Sequence, residues 1–472
     1  MKINFKDKKN LIRLKKISYI TYDYIIIGSG PASITLLNKL KSYKKRNPKI
    51  LVIERGDFYK KEYKKINYTK LPIKFNSRVF SVGGTSNEWS NISSYFEKFE
   101  MEARWLKKIK NFWPISHTKL IGYYKSLDKN LGFNYQKIKK IKSTIPFEIR
   151  NFIANKKPKN FKYFLNSIDV DLIYNCNVTS VDEIKNLTLI NTEKKKFFFK
   201  GFKTIICCGG IESVNLVLNS LSQKKILKMK NKKNVGKFFS DHPKLNLGYL
   251  MFPKIKLIKK FQLRVKNKYI EYFGLSIKKK IQKDMKLLNT YVRFEKSSNR
   301  VSKALKLIKI PILQRIIKNK FKNFYKIRIF CEMKPTYDNM IFQKNKKLYV
   351  NYKFNKIEYS TIKFLTKRIL DYFSYYPEKE VEILYSKKLI DRNIEDASHH
   401  MGGLIYSPDK KIACVDKNLR INGLKNIFVC SSAIFPTFGS VNPTMTICAF
   451  AYRLGIYLSG GTDNHYKKIN QK

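Results

Sequence analysis

The residues best suited to chemistry in this chain come as short runs of small side chains, each set between an apolar stretch and a helical one. In Gly28-Ser-Gly-Pro-Ala-Ser33, Gly28 and Gly30 permit a tight turn and a close approach of backbone to a pyrophosphate. Ser33 stands where the third glycine of G-x-G-x-x-G would be and is small enough for close helix–strand packing. Glu54, twenty-four residues beyond Gly30, falls where an acid reaches a ribose hydroxyl. Gly83, Gly84, Thr85, Ser86 and Asn87 form a backbone-lined loop suited to a planar or phosphate-bearing ligand. Gly209-Gly-Ile-Glu-Ser213 repeats the first design. Near the C-terminus, His399-His-Met-Gly-Gly403 precedes Ser440-Val-Asn-Pro-Thr444. There Asn442 and Pro443 open a helix and present a further ligand-facing N-terminus.

The elements that must position these turns follow from hydrophobic pattern. Tyr24–Ile27, Ile50–Ile53, Thr204–Cys208 and Asn426–Val429 are short β-branched or apolar runs, read as buried strands. Helical spacing follows in Ile34–Leu40, Gly210–Ser220 and Ile447–Leu458. Asp169–Val181 reads as one strand, with Leu187–Phe199 as its hairpin partner. Thr118–Leu131 reads as a helix capped by Ser116 and closed by Gly132. From Lys244 to Asn393 strand-like alternations (Leu245–Phe252, Tyr291–Phe294, Lys326–Met333, Leu348–Phe354) are separated by basic helical stretches, with a helix over Tyr359–Tyr375. This pattern predicts a substrate domain on an antiparallel or mixed sheet. The fold class is α/β, a doubly wound nucleotide-binding domain interleaved with that second domain.

With 472 residues the chain is long enough for a large core and two or three domains, and its formal charge is +64. Such a charge suggests nucleic acid or an anionic membrane, but the lysines are spread along the whole chain among Asn, Ile, Tyr and Phe, and no nucleic-acid motif accompanies them. No specific nucleic-acid partner is expected. Ser302–Lys322 is apolar and basic in turn, which leaves peripheral contact with an anionic membrane open. Pro311 breaks its continuous face and favours solvated helices packed on the sheet. The seven cysteines lack C-x-x-C spacing and read as reduced, buried residues of a cytoplasmic protein, with no metal site. No secretory signal or membrane-spanning run is evident.

Taken together and in order, these motifs resemble the glucose–methanol–choline (GMC) family of flavin-dependent alcohol oxidoreductases, over about Tyr22–Ser459. The resemblance implies a Rossmann-type FAD-binding domain over 20–243, with flavin loop 80–90, a substrate domain over 244–393, a second FAD-binding part over 394–460, and a tail over 461–472. Its FAD contacts map to Gly28, Gly30, Ser33, Glu54, Gly83–Asn87, Val178, Gly209, Ser431, Asn442, Pro443 and Thr444. Trp113-Pro-Ile115 and Asn234-Val-Gly-Lys-Phe-Phe with Asp241-His-Pro243 also fit. Some members attach the flavin covalently through a histidine where this chain has Glu88, so FAD is expected to be non-covalent. Gly403 and Ile405 replace a usual threonine and a frequent arginine after the catalytic histidine, and Ser431 stands where many members carry an acid.

The family's catalytic histidine maps to His399 and its partner to Asn442. A histidine with an ordinary pKa of about 6.5 suits a general base, and an amide can hold the alcohol oxygen without competing for its proton. His400 reads as a structural neighbour, His242 as a loop histidine bonded to backbone, and His117 and His465 as surface residues. The expected function is FAD-dependent oxidation of a primary or secondary alcohol, of a sugar or polyol, by a dehydrogenase rather than an oxidase, with the electron acceptor unknown. The alternative is a basic binding protein at membrane or polysaccharide machinery, on a vestigial flavoenzyme fold.

Overall fold

The structure, a computed structural model, describes residues 1–43, 47–102, 112–131, 133–184, 186–193, 197–251, 263–296, 311–312, 324–375, 380–383 and 387–461. Gly132, His465, nearly all of Ser302–Lys322 and the tail beyond 461 lie outside them. The first large sheet contains β1 (Lys2–Asn4), β2 (Thr21–Ile27), β3 (Ile50–Ile53), β4 (Asp171–Tyr174), β5 (Val178–Ile184), β6 (Leu187–Thr192), β7 (Phe198–Ile206) and β8 (Ile427–Val429). Its order is β1-β4-β3-β2-β7-β6-β5. Pairing is parallel from β1 to β7 and antiparallel through the β5–β6–β7 meander. β8 pairs in parallel with Thr204–Ile206, the end of β7 beyond the meander's reach. β3 is buried at all four positions, and β2 at its last three, as strands covered on both faces require.

Helices α1 (Pro31–Lys41), α2 (His117–Leu131), α3 (Gly209–Ser222), α4 (Lys356–Ser374) and α5 (Thr444–Leu458) complete the frame that concerns the site. α5 is apolar almost all round and packs on α1 and α2. Ser116 receives Lys119 N at 3.3 Å, the expected cap of α2. The second large sheet is antiparallel, in the order Arg264–Val265, Tyr269–Ile277, Tyr291–Lys296, Phe324–Phe330, Lys244–Met251, Glu380–Ile383. α4 covers it through Phe373 on Phe294 and Tyr372 on Phe147.

Several expectations need correction. Asp169–Val181 is two strands: Asn175, with φ of 58°, turns the chain between β4 and β5, and its Nδ2 donates to Asp57 Oδ2 at 2.7 Å. The hairpin partner ends at Thr192, and Phe198 already begins β7. Residues before 20 are part of the first sheet, since β1 pairs with β4. Phe147–Asn155 crosses early to the second sheet, pairing along its length with Tyr269–Ile277. Lys347–Asn351 leaves that sheet for a small one with Met340–Lys344 and Asn67–Tyr68.

A buried ion pair ties the second sheet to the turn before α5. Glu100 is 0% exposed and accepts both Arg150 nitrogens, at 2.7 and 2.6 Å. It also accepts Asn289 Nδ2 at 3.0 Å and the backbone N–H of Ser440 at 2.9 Å. Burial alone would raise the Glu100 carboxyl, but Arg150 and these donors pull it down to about 2. Its contribution to stability is therefore full above about pH 4.5 and is lost as pH falls toward 2. Arg150→Met should cost about 3–5 kcal/mol, because it strands a buried carboxylate. Urea denaturation at pH 7 measures this, and a loss below about 1 kcal/mol, the range of exposed pairs, would show that the pair carries no such load.

Candidate active site

The cradle begins where β2 ends. Gly28 has φ of 96°, and a side chain there would stand 2.6 Å from the Cys207 carbonyl oxygen. Gly30 is the N-cap of α1 and Pro31 its first residue. Glu54, buried at the end of β3, closes the turn: Oε2 accepts Ser29 N at 2.9 Å and Ser29 Oγ at 2.7 Å, and Oε1 accepts Gly56 N at 2.8 Å. Burial pushes this carboxyl up, against those hydrogen bonds. Glu54 thus shapes the turn as well as facing the cavity.

A cavity of about 630 Å³, within the range of cofactor sites, runs past this turn to His399. Gly28, Gly30, Glu54, Gly84, Thr85, Ser86, Val178, Gly209, His399, Ser431, Asn442, Pro443 and Thr444 all line it. Ser33, Gly83 and Asn87 do not. Ser33 is buried within α1, Gly83 N donates to Ser29 Oγ at 3.1 Å, and Asn87 Nδ2 holds the Val82 and Gly84 carbonyls at 3.0 and 2.8 Å. The Gly83–Ser29 bond holds the two loops together, and Asn87 braces its own loop. A side chain at Gly84 would lie 3.1 Å from Gly30 Cα, so the loops meet backbone to backbone. A Cβ added at Gly30 or Gly209 meets no protein atom within 4 Å. The space it would take is the cavity's own, so these residues fit a dinucleotide pressed against bare backbone and the N-termini of α1 and α3.

Glu88 also faces the cavity. Its carboxylate accepts Lys61 Nζ at 2.7 Å and Tyr63 OH at 2.8 Å, and these bonds hold it below the usual glutamate range.

At the far end His399 and Asn442 meet, with Asn442 Nδ2 3.0 Å from His399 Nε2. The other ring nitrogen, Nδ1, lies 3.1 Å from His242 Nδ1, and His242 Nε2 lies 3.0 Å from the Phe438 carbonyl oxygen. A carbonyl only accepts, so His242 carries its proton on Nε2. Burial pushes the His242 pKa down to about 4, so the ring is neutral and its Nδ1 is an acceptor. His399 must then donate from Nδ1, which leaves Nε2 as a bare lone pair. Burial, His242 and Lys244 hold His399 well below the usual histidine range, in the neutral form. His242 is thus more than the backbone-bonded loop residue its sequence context suggests.

His400 also borders the cavity, but its ring is engaged by Asp396. It is buried against Phe239, and Asp396, 3.2 Å away, outweighs burial and raises its pKa. Asp241 holds the loop itself, accepting Ala397 N at 2.7 Å and His399 N at 2.8 Å. Asp241, Asp396 and His400 lie within 4.8 Å of one another, but loop N–H groups occupy the carboxylates. His117 is half-buried, with Nε2 3.0 Å from the Phe96 carbonyl, and is not a free surface residue. Sequence reading missed the roles of Asp241, His242 and Glu100. The Asp241-His-Pro243 run was the one available signal.

Residues 365–451 match the family model described as GMC oxidoreductase. The C-terminal segment carries this match. It holds both His399 and Asn442, so the GMC match covers the His399 end of the cavity. Beyond it, the fold is shared with solved structures. Pyridoxine 4-oxidase from Mesorbium loti has 12% identity, covers 92% of this chain and 98% of its own, and has a TM-score of 0.58. A fungal aryl-alcohol oxidase has 10% identity, coverage of 93% and 99%, and a TM-score of 0.59. An FAD-dependent oxidoreductase from Chaetomium thermophilum has 11% identity, coverage of 92% and 98%, and a TM-score of 0.62. No curated protein sequence matches the chain.

Gly30→Ala tests the cradle. The backbone there is extended and the added methyl meets no protein atom, so the variant should fold and melt as wild type does. It should bind FAD at least about tenfold more weakly, the cost of one lost close contact to a phosphate. Titration of apoprotein with FAD reads this, and unchanged affinity would remove the turn from the cofactor site.

Proposed function

We propose that this chain is an FAD-dependent oxidoreductase that oxidises a primary or secondary alcohol, with sugars and polyols as the broad substrate class. The observation that carries the reading is the 3.0 Å contact between His399 Nε2 and Asn442 Nδ2 in the wall of the same cavity as the glycine cradle. FAD bound in that cavity supplies a two-electron acceptor. Gly28, Gly30, Glu54, Gly84, Thr85 and Gly209 would hold it. The attachment is non-covalent, because Glu88 offers no nucleophilic ring nitrogen and is engaged by Lys61 and Tyr63.

The residues divide the proton work. A substrate hydroxyl entering between His399 and Asn442 replaces their mutual hydrogen bond with two of its own. Its O–H points to the bare Nε2, and Asn442 Nδ2 donates to its oxygen. The proton passes to Nε2, and the imidazolium that forms keeps its Nδ1–H on His242. Asn442 stabilises the negative charge developing on oxygen without taking the proton. The acceptor after the flavin is proposed to be other than oxygen, making the protein a dehydrogenase. The seven free cysteines, six of them buried, suit a reducing cytoplasmic setting. Among the described residues no helix is long and apolar enough to cross a membrane.

Purified protein should release FAD into solution on denaturation. Anaerobic mixing with a panel of sugars, polyols and aryl alcohols should bleach the flavin. His399→Ala should retain FAD and slow that bleaching by about 10²–10⁴-fold, the usual contribution of a general base. His400→Gln should slow it far less. A slow His400→Gln beside a near-normal His399→Ala would move the base by one residue, and bleaching by no alcohol would defeat the reading.

A further inference from the structure

The His399 end of the cavity is cationic. Lys74 and Lys244 stand in its wall beside Ala397, Ser398 and His399. Lys244 opens a strand two residues after His242 and sits opposite Glu395 in the second sheet. That carboxylate is already shared, lying 3.3 Å from Lys74 Nζ and 3.3 Å from Arg328 Nη1. Among the described residues Lys244 has no ion pair of its own. Burial and the like charges of Lys74 and Arg328 outweigh Asp241 and Glu395 and hold its ammonium below the usual lysine range. Lys244 also helps depress the basicity of His399.

We infer that the alcohol is itself an anion: its carboxylate or phosphate pairs with Lys244 and Lys74 while its carbinol lies between His399 and Asn442. The substrate class is then hydroxy acids, sugar acids among them, or phosphorylated alcohols, in preference to neutral sugars. This rests on the alcohol-oxidising reading and narrows it. It also couples binding to chemistry, because an anion on Lys244 screens the charge that weakens the base.

The test uses holoenzyme and matched alcohols that differ in charge: benzyl alcohol against 4-(hydroxymethyl)benzoate, and glycerol against glycerate and glycerol 3-phosphate. The anionic member should show a kcat/KM for anaerobic flavin reduction at least about tenfold higher, the range of one charge-assisted contact. Comparison of glycerate with glycerol 3-phosphate distinguishes carboxylate from phosphate. Lys244→Met should lower the anion-to-neutral ratio by about tenfold or more, Lys244→Arg should restore it, and Lys244→Glu should invert it. A purely structural lysine would change both substrates alike and leave the ratio intact. Equal rates for charged and neutral partners in the wild type, or a ratio unmoved in a folded, FAD-loaded Lys244→Met, would overturn the inference. If no alcohol reduces the flavin, saturable perturbation of its spectrum by 4-(hydroxymethyl)benzoate, lost in Lys244→Met, would uphold the anion site while the oxidation reading failed. Absence of that perturbation would defeat the anion site as well.

Discussion

The account depends on one contact between two segments that have no local reason to meet. His399 and Asn442 are forty-three residues apart, and neither lies inside a regular element. Three buried carboxylates hold them in register. Asp241 grips the His399 loop by the N–H groups of Ala397 and His399. Glu100, fixed by Arg150, grips the turn before Asn442 by the N–H of Ser440, and Glu332 adds the N–H of Gly439 at 3.1 Å. Buried backbone donors need partners, and a carboxylate supplies two oxygens that can span neighbouring turns. The His399–Asn442 geometry is thus set by acids that do not line the cavity.

The same economy governs protonation. The Phe438 carbonyl fixes the proton on His242, His242 fixes it on His399, and the lone pair emerges toward Asn442. Phe438 lies on the turn that Glu332 and Glu100 secure at Gly439 and Ser440, so the clamp that places Asn442 also orients the His399 ring. At the other end of the cavity, bare backbone at Gly30 and Gly209 provides the surface against which a dinucleotide can lie.

How much of this could be read from the sequence depends on range. The turns at Gly28 and Gly209 were legible because strand, small residues and helix follow one another closely, and the Gly84 loop through its paired glycine and small hydroxyl residues. His399 and Asn442 were singled out through family resemblance, and the structure brings them into contact in the wall of one cavity. Three residues of the expected FAD set stand outside the cavity lining, Ser33 buried within α1 and Gly83 and Asn87 bonded within and between loops, a distinction that spacing does not encode. The strands at Lys2–Asn4 and Phe147–Asn155 were missed or misplaced because their partners are more than a hundred residues away. His242 was underread for the same reason: its meaning lies in a bond to a residue 157 positions along the chain.

The central claim is that His399 is a neutral base with its proton on Nδ1. Nitrogen-15 NMR of the histidine rings reads tautomers directly, and with five histidines the spectrum can be assigned by single His→Gln variants. At neutral pH the account predicts a pyridine-type Nε2 and a protonated Nδ1 for His399, opposite to the Nε2-protonated tautomer of His242. A His399 ring protonated on Nε2, or an imidazolium at pH 7, would contradict it.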